Sequence, residues 1–225
     1  LADVEWIADG SPSLRVRLSA TGDELQIYEA FTAERNFQYS SRVESYKFAD
    51  GLVLTQDQIL NSLLVGTSGD DVRYGVGFVR REFDLGSGND KFYAARDNIY
   101  GFGVGSGNDV LVGAETVQFK GAISKSDLSY VRDGSDLVIS IANTSDSLTF
   151  EGYFNHWSGA SPLVLKFADG SSVDDRFVVS AVLEQAGTDG ADFISSIGYG
   201  HNDLRGGLGN DVLVAARGES VAVQF

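Results

Sequence analysis

GGLGNDVLV, running from Gly206 to Val214, decides the fold. Four weaker copies lie upstream: GTSGDDVRY (66–74), LGSGNDKFY (85–93), VGSGNDVLV (104–112) and GTDGADFIS (187–195). Every copy has glycine at its fourth position and aspartate at its sixth, and four of the five carry an apolar or aromatic residue at the eighth. Each position has a physical task. The glycines let the backbone turn sharply and aim its carbonyls inward. The aspartate adds a charged oxygen, so carbonyls and carboxylates together suit a hard cation such as calcium. The eighth residue heads a short strand and points into a core. Repeated at this density, the pattern predicts a parallel β-roll.

The spacing of the copies sets their arrangement. Gly66 to Leu85, Leu85 to Val104 and Gly187 to Gly206 are each 19 residues. A two-sided roll of nonapeptides needs about 18 residues per full turn, so the motifs stack along one edge. The opposite edge falls to YGVGFVRREF (74–83), ARDNIYGFG (95–103) and SIGYGHNDL (196–204). Calcium is therefore expected on one edge, with the other closed largely without metal and Glu82, Asp97 and Asp203 as occasional ligands there.

Composition narrows the function classes. The 225 residues hold 27 glycines but 2 prolines, as repeated backbone turns require. A hydrophobic fraction of 43% is enough for a core. The net charge of −15 argues against nucleic acid, because no basic patch is present to carry phosphate contacts. It argues equally against anionic membrane surfaces. Bound divalent cations would cancel part of this charge; without them the acidic turns repel one another. With no cysteine, disulfides and thiolate metal sites are excluded. Methionine is absent even at position 1, as in a segment of a longer or processed protein. No run of about 18 apolar residues predicts a membrane span.

A longer repeat overlies the short one. SLRVRLSATGDELQIYEAF (13–31) aligns without a gap on DLVISIANTSDSLTFEGYF (136–154), placing Leu14 on Leu137, Val16 on Ile139, Asp23 on Asp146 and Leu25 on Leu148. An Asp-Gly turn precedes each copy (Asp9-Gly10, Asp133-Gly134), and KFADG follows each, at 47–51 and 166–170. DVEWIADG (3–10) matches DLSYVRDG (127–134), and ESVAVQF (219–225) matches AETVQF (114–119). The order strand pair, KFADG turn, short segment, glycine roll thus occurs twice, in a tandem array of period about 110 to 120 residues.

Period-two alternation around Thr21-Gly22-Asp23, and again around Asn143 to Asp146, predicts antiparallel hairpins. TQDQILNSLLV (55–65) and VDDRFVVSAVLEQA (173–186) predict short helices capped by Thr55 and Asp174. The recurring aromatics Trp6, Phe31, Phe48, Tyr130, Phe154, Trp157 and Phe167 read as core. The expected fold is all-β: short parallel β-rolls alternating with small antiparallel β modules, with minor helix. The segments are a β module over 1–65, a roll over 66–121, a second module over 122–186 and a second roll over 187–225.

These residues resemble the calcium-binding repeats-in-toxin (RTX) proteins exported by bacterial type I secretion. The stretch from about 122 to 174 is similar to the haemolysin-type calcium-binding-related module that sits beside such rolls, and 3–55 to a shorter copy of it. The resemblance implies a secreted protein at the bacterial cell surface, with calcium ions between successive turns. One ion would lie between 66–71 and 85–90, held by Gly66, Ser68, Asp70 and Asp71 with Gly86, Gly88 and Asp90. A second would take Leu85, Ser87, Asn89 and Asp90 with Gly105, Gly107 and Asp109. A third would take Gly187, Asp189, Ala191 and Asp192 with Gly207, Gly209 and Asp211. The chain departs from the family pattern at position one (Leu85, Val104) and at position two (Thr67, Thr188), which bears on affinity because carbonyl ligands need only a backbone that still turns.

Nothing in the sequence assembles a catalytic centre. The two histidines, His156 and His201, read as packing or turn residues, and no G-x-S-x-G elbow occurs. GSGND is not followed by the lysine of a phosphate loop. The first reading is a structural or adhesive extracellular array of calcium-stiffened modules that self-associates into a layer, filament or stalk. The second is the secretion and folding region of a larger exported enzyme or toxin. A carbohydrate-binding module using Trp157 or Tyr199 ranks third. The resemblance implies that folding is linked to calcium, because the unfolded chain has no formed site. Asp90 would bridge two ions, so Asp90→Ala is expected to impair calcium-dependent folding more than any other single substitution in the first roll. Unchanged folding of that variant in a calcium titration would refute the assigned register.

Overall fold

Each glycine turn feeds a strand, and successive strands alternate between two sheets. The computed structural model describes residues 3–8, 13–28, 30, 43–76, 80–155, 163–197, 201–215 and 220–224. Asp9-Gly10, Phe31, His156, Trp157 and Tyr199 lie outside them.

The first module begins with an antiparallel sheet of β1 (Val4–Ala8), β2 (Leu14–Leu18) and β3 (Glu24–Ile27), in that order. Gly22, at φ 76°, makes the turn between β2 and β3, a conformation glycine reaches without steric cost. β4 (Ser45–Lys47) and β5 (Val53–Thr55) pair antiparallel around the KFADG turn. Trp6 packs edge-on against Tyr46 and Phe48, at 5.2 and 6.4 Å between ring centres, and ties the two sheets together. α1 (Gln56–Leu63) starts at the expected cap. The Thr55 hydroxyl accepts from the Gln58 amide while the Gln58 side chain accepts from the Thr55 amide. Ile59, Leu60 and Leu63 form its buried face.

The first roll comprises β6 (Val72–Tyr74), β7 (Glu82–Phe83), β8 (Lys91–Tyr93), β9 (Ile99–Phe102), β10 (Asn108–Val112) and β11 (Thr116–Phe119). β6, β8 and β10 run parallel in one sheet with Arg73 opposite Phe92 and Phe92 opposite Leu111, a step of 19 residues. β7, β9 and β11 run parallel in the other with Phe83 opposite Tyr100 and Tyr100 opposite Val117, a step of 17. The difference accumulates on the edge away from the glycines. There the connections shorten from seven residues (75–81) to five (94–98) to three (113–115).

The second module repeats the first. β12 (Leu128–Asp133), β13 (Asp136–Ile141) and β14 (Ser147–Glu151) form the antiparallel set, and β15 (Val164–Lys166) pairs with β16 (Ser172–Asp174). α2 (Asp175–Ala186) follows, its N-cap Asp174 accepting from the amides of Arg176 and Phe177. The Ser19 amide donates to the Asp3 carbonyl at 2.9 Å, and the equivalent Ala142 amide donates to Asp127 at 2.8 Å. The second module, however, is fused to the roll. β14 adds in parallel to β10, and β15 adds in parallel to β11. The sheets therefore run β12-β13-β14-β10-β8-β6 and β16-β15-β11-β9-β7. In the second roll, β17 (Phe193–Ser195) pairs with β19 (Val212–Val214) and β18 (His201–Arg205) with β20 (Ser220–Gln224), both in parallel.

The expected all-β architecture with minor helix is what the chain adopts. Period two decides the interior: at the eighth nonapeptide position Phe92, Leu111 and Ile194 are buried, while Val72, Phe193 and Val212 just before it face out. Aromatic contacts thread the roll, from Phe83–Phe92 (4.7 Å) through Phe92–Tyr100 (5.4 Å) and Phe102–Phe119 (6.2 Å) to Phe119–Phe167 (5.4 Å) in the module. Burying each such ring contributes about 1.5–3 kcal/mol. Leu148 is fully buried at the junction, opposite Asp109 in β10 and Ile139 in β13. Leu148→Ala should cost about 2–5 kcal/mol of unfolding free energy, read as a lower midpoint in a urea titration.

Candidate metal centre

The nonapeptide aspartates form a ladder between turns. The Asp71 amide donates to Oδ1 of Asp90 at 2.8 Å, and the Asp90 amide donates to Oδ1 of Asp109 at 3.0 Å. In the second roll the Asp192 amide donates to Oδ1 of Asp211 at 3.0 Å. Fifth-position side chains form a counter-ladder running the other way. The Asn89 amide donates to Oδ1 of Asp70 at 2.7 Å and the Asn108 amide to Oδ1 of Asn89 at 3.1 Å. Stacked turns are thus clamped from both sides of the peptide.

Glycine permits the stacking. Gly86, Gly88 and Gly107 have φ of 94°, 134° and 96°, and a Cβ on any of them would strike a carbonyl of the turn below: Thr67, Gly69 and Gly88 respectively. Gly207 and Gly209 meet the carbonyls of Thr188 and Gly190 in the same way. The geometry brings together the first expected set. Gly66 lies against the Leu85 carbonyl, and the Ser87 hydroxyl reaches the Ser68 carbonyl at 3.4 Å. In the third set Gly187 lies against the Arg205 and Gly206 carbonyls. The second set is joined at Asn89, Asp90, Gly107 and Asp109 but not at Gly105, where a Cβ would meet nothing within 4 Å. Leu85, expected to give only a carbonyl, buries its side chain completely in the core.

The departures at the second position have a local effect. Thr67 donates its amide (2.6 Å) and its hydroxyl (2.9 Å) to Oδ2 of Asp71, and Thr188 does the same to Asp192 at 2.7 and 2.9 Å. Arg73 also pairs with Oδ1 of Asp71 at 3.0 Å. The first turn of each roll therefore satisfies its own carboxylate. Asp90 differs: it is almost wholly buried and its Oδ2 has no hydrogen-bond partner. Burial raises its carboxyl above the ordinary range, and the charges of Asp71 and Asp70 add to the rise. Burial likewise pushes Asp109 up to about 6, although the Asp90 amide and the Tyr100 hydroxyl, which donates to its Oδ2 at 2.9 Å, both oppose the shift.

A buried carboxylate oxygen without a donor is costly. A hard cation among inward-facing carbonyls removes that cost, so the residues fit calcium. Among the described residues no group of three His, Asp or Glu side chains is placed to hold a metal by itself. A cation between turns would take most of its ligands from the backbone, with Asp90 supplying the charge.

Three residues outside the predicted set complete the structure. Asp146, in the second module, is buried and accepts from the amides of Gly105 (3.0 Å) and Gly107 (2.8 Å). It caps the last glycine turn, and these amides hold its carboxyl below the ordinary value against the opposing effect of burial. Its place in the long repeat, on Asp23, was the available signal. On the far edge Asn98 accepts from the Ala95 amide (3.0 Å) and donates to the Val76 carbonyl (2.9 Å). Asn202 accepts from the Ile197 amide at 2.9 Å. Side-chain amides thus close that edge at both places, and no periodic motif marks them.

Residues 136–176, which include β13 to β16, match the family model of the haemolysin-type calcium binding protein related domain. No curated protein matches the chain. The domain match supports an RTX-like calcium-binding family and hence calcium binding. No helix among the described residues is long and apolar enough to cross a membrane.

The raised carboxyl of Asp109 gives a pH signature. Between its ordinary value of 3.8 and about 6 the folded chain binds more protons than the unfolded chain, so stability falls as pH rises through that window. In chelator, the β signal in circular dichroism is expected to rise when pH is lowered from about 7 to 5, as the folded form gains population. Asp109→Asn should flatten that rise; an unchanged slope would remove Asp109 from the ledger.

Proposed function

We propose that this chain is a calcium-binding segment of an extracellular tandem-repeat protein, exported to the bacterial cell surface, in which calcium drives folding and the folded modules build a structural or adhesive array. The observation that carries the reading is the Asp71–Asp90–Asp109 ladder, with the unpartnered buried oxygen of Asp90 at its centre. That ladder exists only when turns 19 residues apart are stacked. In the unfolded chain the same carboxylates are dispersed and hydrated, so a cation binds the folded form in preference and stabilises it by mass action.

The net charge of −15 gives the same linkage a second role. Metal-free, the chain is held open by self-repulsion, which suits passage through a secretion channel; calcium outside the cell removes part of that repulsion. The array reading follows from the duplication. Two modules and two rolls alternate, and where the first roll meets the second module the junction is made of backbone pairing in two sheets at once, which resists bending. On this reading the chain is not an enzyme, and its work is mechanical.

Far-ultraviolet circular dichroism during a calcium titration from chelator tests the proposal. A cooperative change from disordered to β signal at millimolar calcium or below is expected. A chain already folded in chelator and indifferent to calcium would overturn it.

A further inference from the structure

We propose that Arg73 is a built-in cation that takes the place of the calcium ion expected between the first and second glycine turns, so that the first roll holds calcium between its second and third turns alone. This role rests on the calcium binding proposed above and changes where in the roll the metal lies.

Arg73 is the exception in the repeat. It stands at the eighth nonapeptide position, where the other four copies have Phe92, Leu111, Ile194 and Leu213. Period two puts the sixth and eighth positions on the same face, so a long side chain at the eighth can turn back to the aspartate at the sixth. Arg73 does so. Its Nη2 lies 3.0 Å from Oδ1 of Asp71, and its Nη1 donates to the Val72 carbonyl at 3.3 Å. An arginine keeps its charge at every pH at which a protein is folded. The Arg73 side chain is 32% exposed and that of Asp71 8%, so water and salt screen the pair only in part.

Both oxygens of the Asp71 carboxylate are thereby engaged. Oδ1 holds the guanidinium, and Oδ2 accepts from the amide and the hydroxyl of Thr67 at 2.6 and 2.9 Å. A calcium ion that used Asp71 would have to displace these donors and stand beside a fixed positive charge, where the two cations repel each other at close range. The other carboxylate of that turn, Asp70, is exposed and accepts from the Asn89 amide at 2.7 Å.

One turn on, the same positions are built differently. Asp90 has the uncharged Phe92 at its eighth position and Gly86 in place of a threonine at its second. Its Oδ1 accepts from the Asp71 amide, while Oδ2 is buried without a donor. The oxygen that needs a cation therefore belongs to Asp90, and Asn89, Asp90, Gly107 and Asp109 already meet between the second and third turns. The second roll separates the two departures of the first turn. There Thr188 bonds to Asp192 as Thr67 bonds to Asp71, but the eighth position is the buried Ile194. The arginine, and not the threonine, sets the first turn apart.

Equilibrium dialysis of the intact chain against calcium counts the bound ions, with circular dichroism to confirm that each variant folds. Arg73→Leu restores the residue type of the other turns, and Arg73→Gln keeps a polar side chain without the charge. Each should raise the count by one ion per chain, and adding Asp71→Asn should take that ion away again. Asp71→Asn in the parent should leave the count unchanged. Loss of an ion from that variant overturns the proposal by itself, whether or not the Arg73 variants fold. A count that stays at the parent value in the folded Arg73 variants overturns it equally. A parent chain that binds no calcium overturns the calcium reading on which the proposal rests.

Discussion

A carboxylate that accepts from the backbone amide one turn below it sets the pitch of the roll. Asp90 and Asp109 do this in the first roll and Asp211 in the second. The contact closes only if the turns lie at sheet spacing, about 4.8 Å apart. That spacing leaves no room for a Cβ between a turn and the carbonyls beneath it, hence the glycines at the second and fourth positions. Aspartate and glycine are two requirements of one close approach. The strands that follow inherit their register from it.

The approach concentrates negative charge where water cannot reach. Asp90 is almost wholly buried with an unsatisfied oxygen, and the carboxyls of Asp90 and Asp109 both move toward the protonated form. Asp71 and Asp192, in the first turn of each roll, have their Oδ2 satisfied by the threonine at the second position. The hydrogen bonds within the ladder therefore leave a buried oxygen unsatisfied at its centre and none at the carboxylates of its first turn. This is the arrangement expected where a cation completes a fold that the chain alone leaves strained.

Much of this is legible in the sequence because it is periodic. The nonapeptides place the strands that follow them, and Thr55 and Asp174 cap the helices they were expected to cap. The calcium-binding-related module resembled by 122–174 is matched over 136–176. What periodicity does not carry is the sharing of sheets between roll and module. β10 and β14 lie close in space through pairings about 40 residues apart in the chain, and no motif announces them. Asp146 shows the same limit: it sits in a hairpin turn, and its partners Gly105 and Gly107 belong to a different repeat. Asn98 and Asn202 escape notice because one amide in an irregular loop leaves no pattern, though each satisfies the backbone around it.

The narrowing far edge of the first roll gives the fold a way of counting. Its connections have seven, five and three residues, so a further turn on the same progression would have one. One residue between strands allows two Cα steps of 3.8 Å, about 7.6 Å in all, while packed sheets stand about 10 Å apart. A fourth crossing of that kind cannot span the gap. The series exhausts itself, and the chain resumes with a 12-residue connection, 152–163, between β14 and β15. The roll thus ends at its third turn by arithmetic of length, at the glycine turn that Asp146 caps.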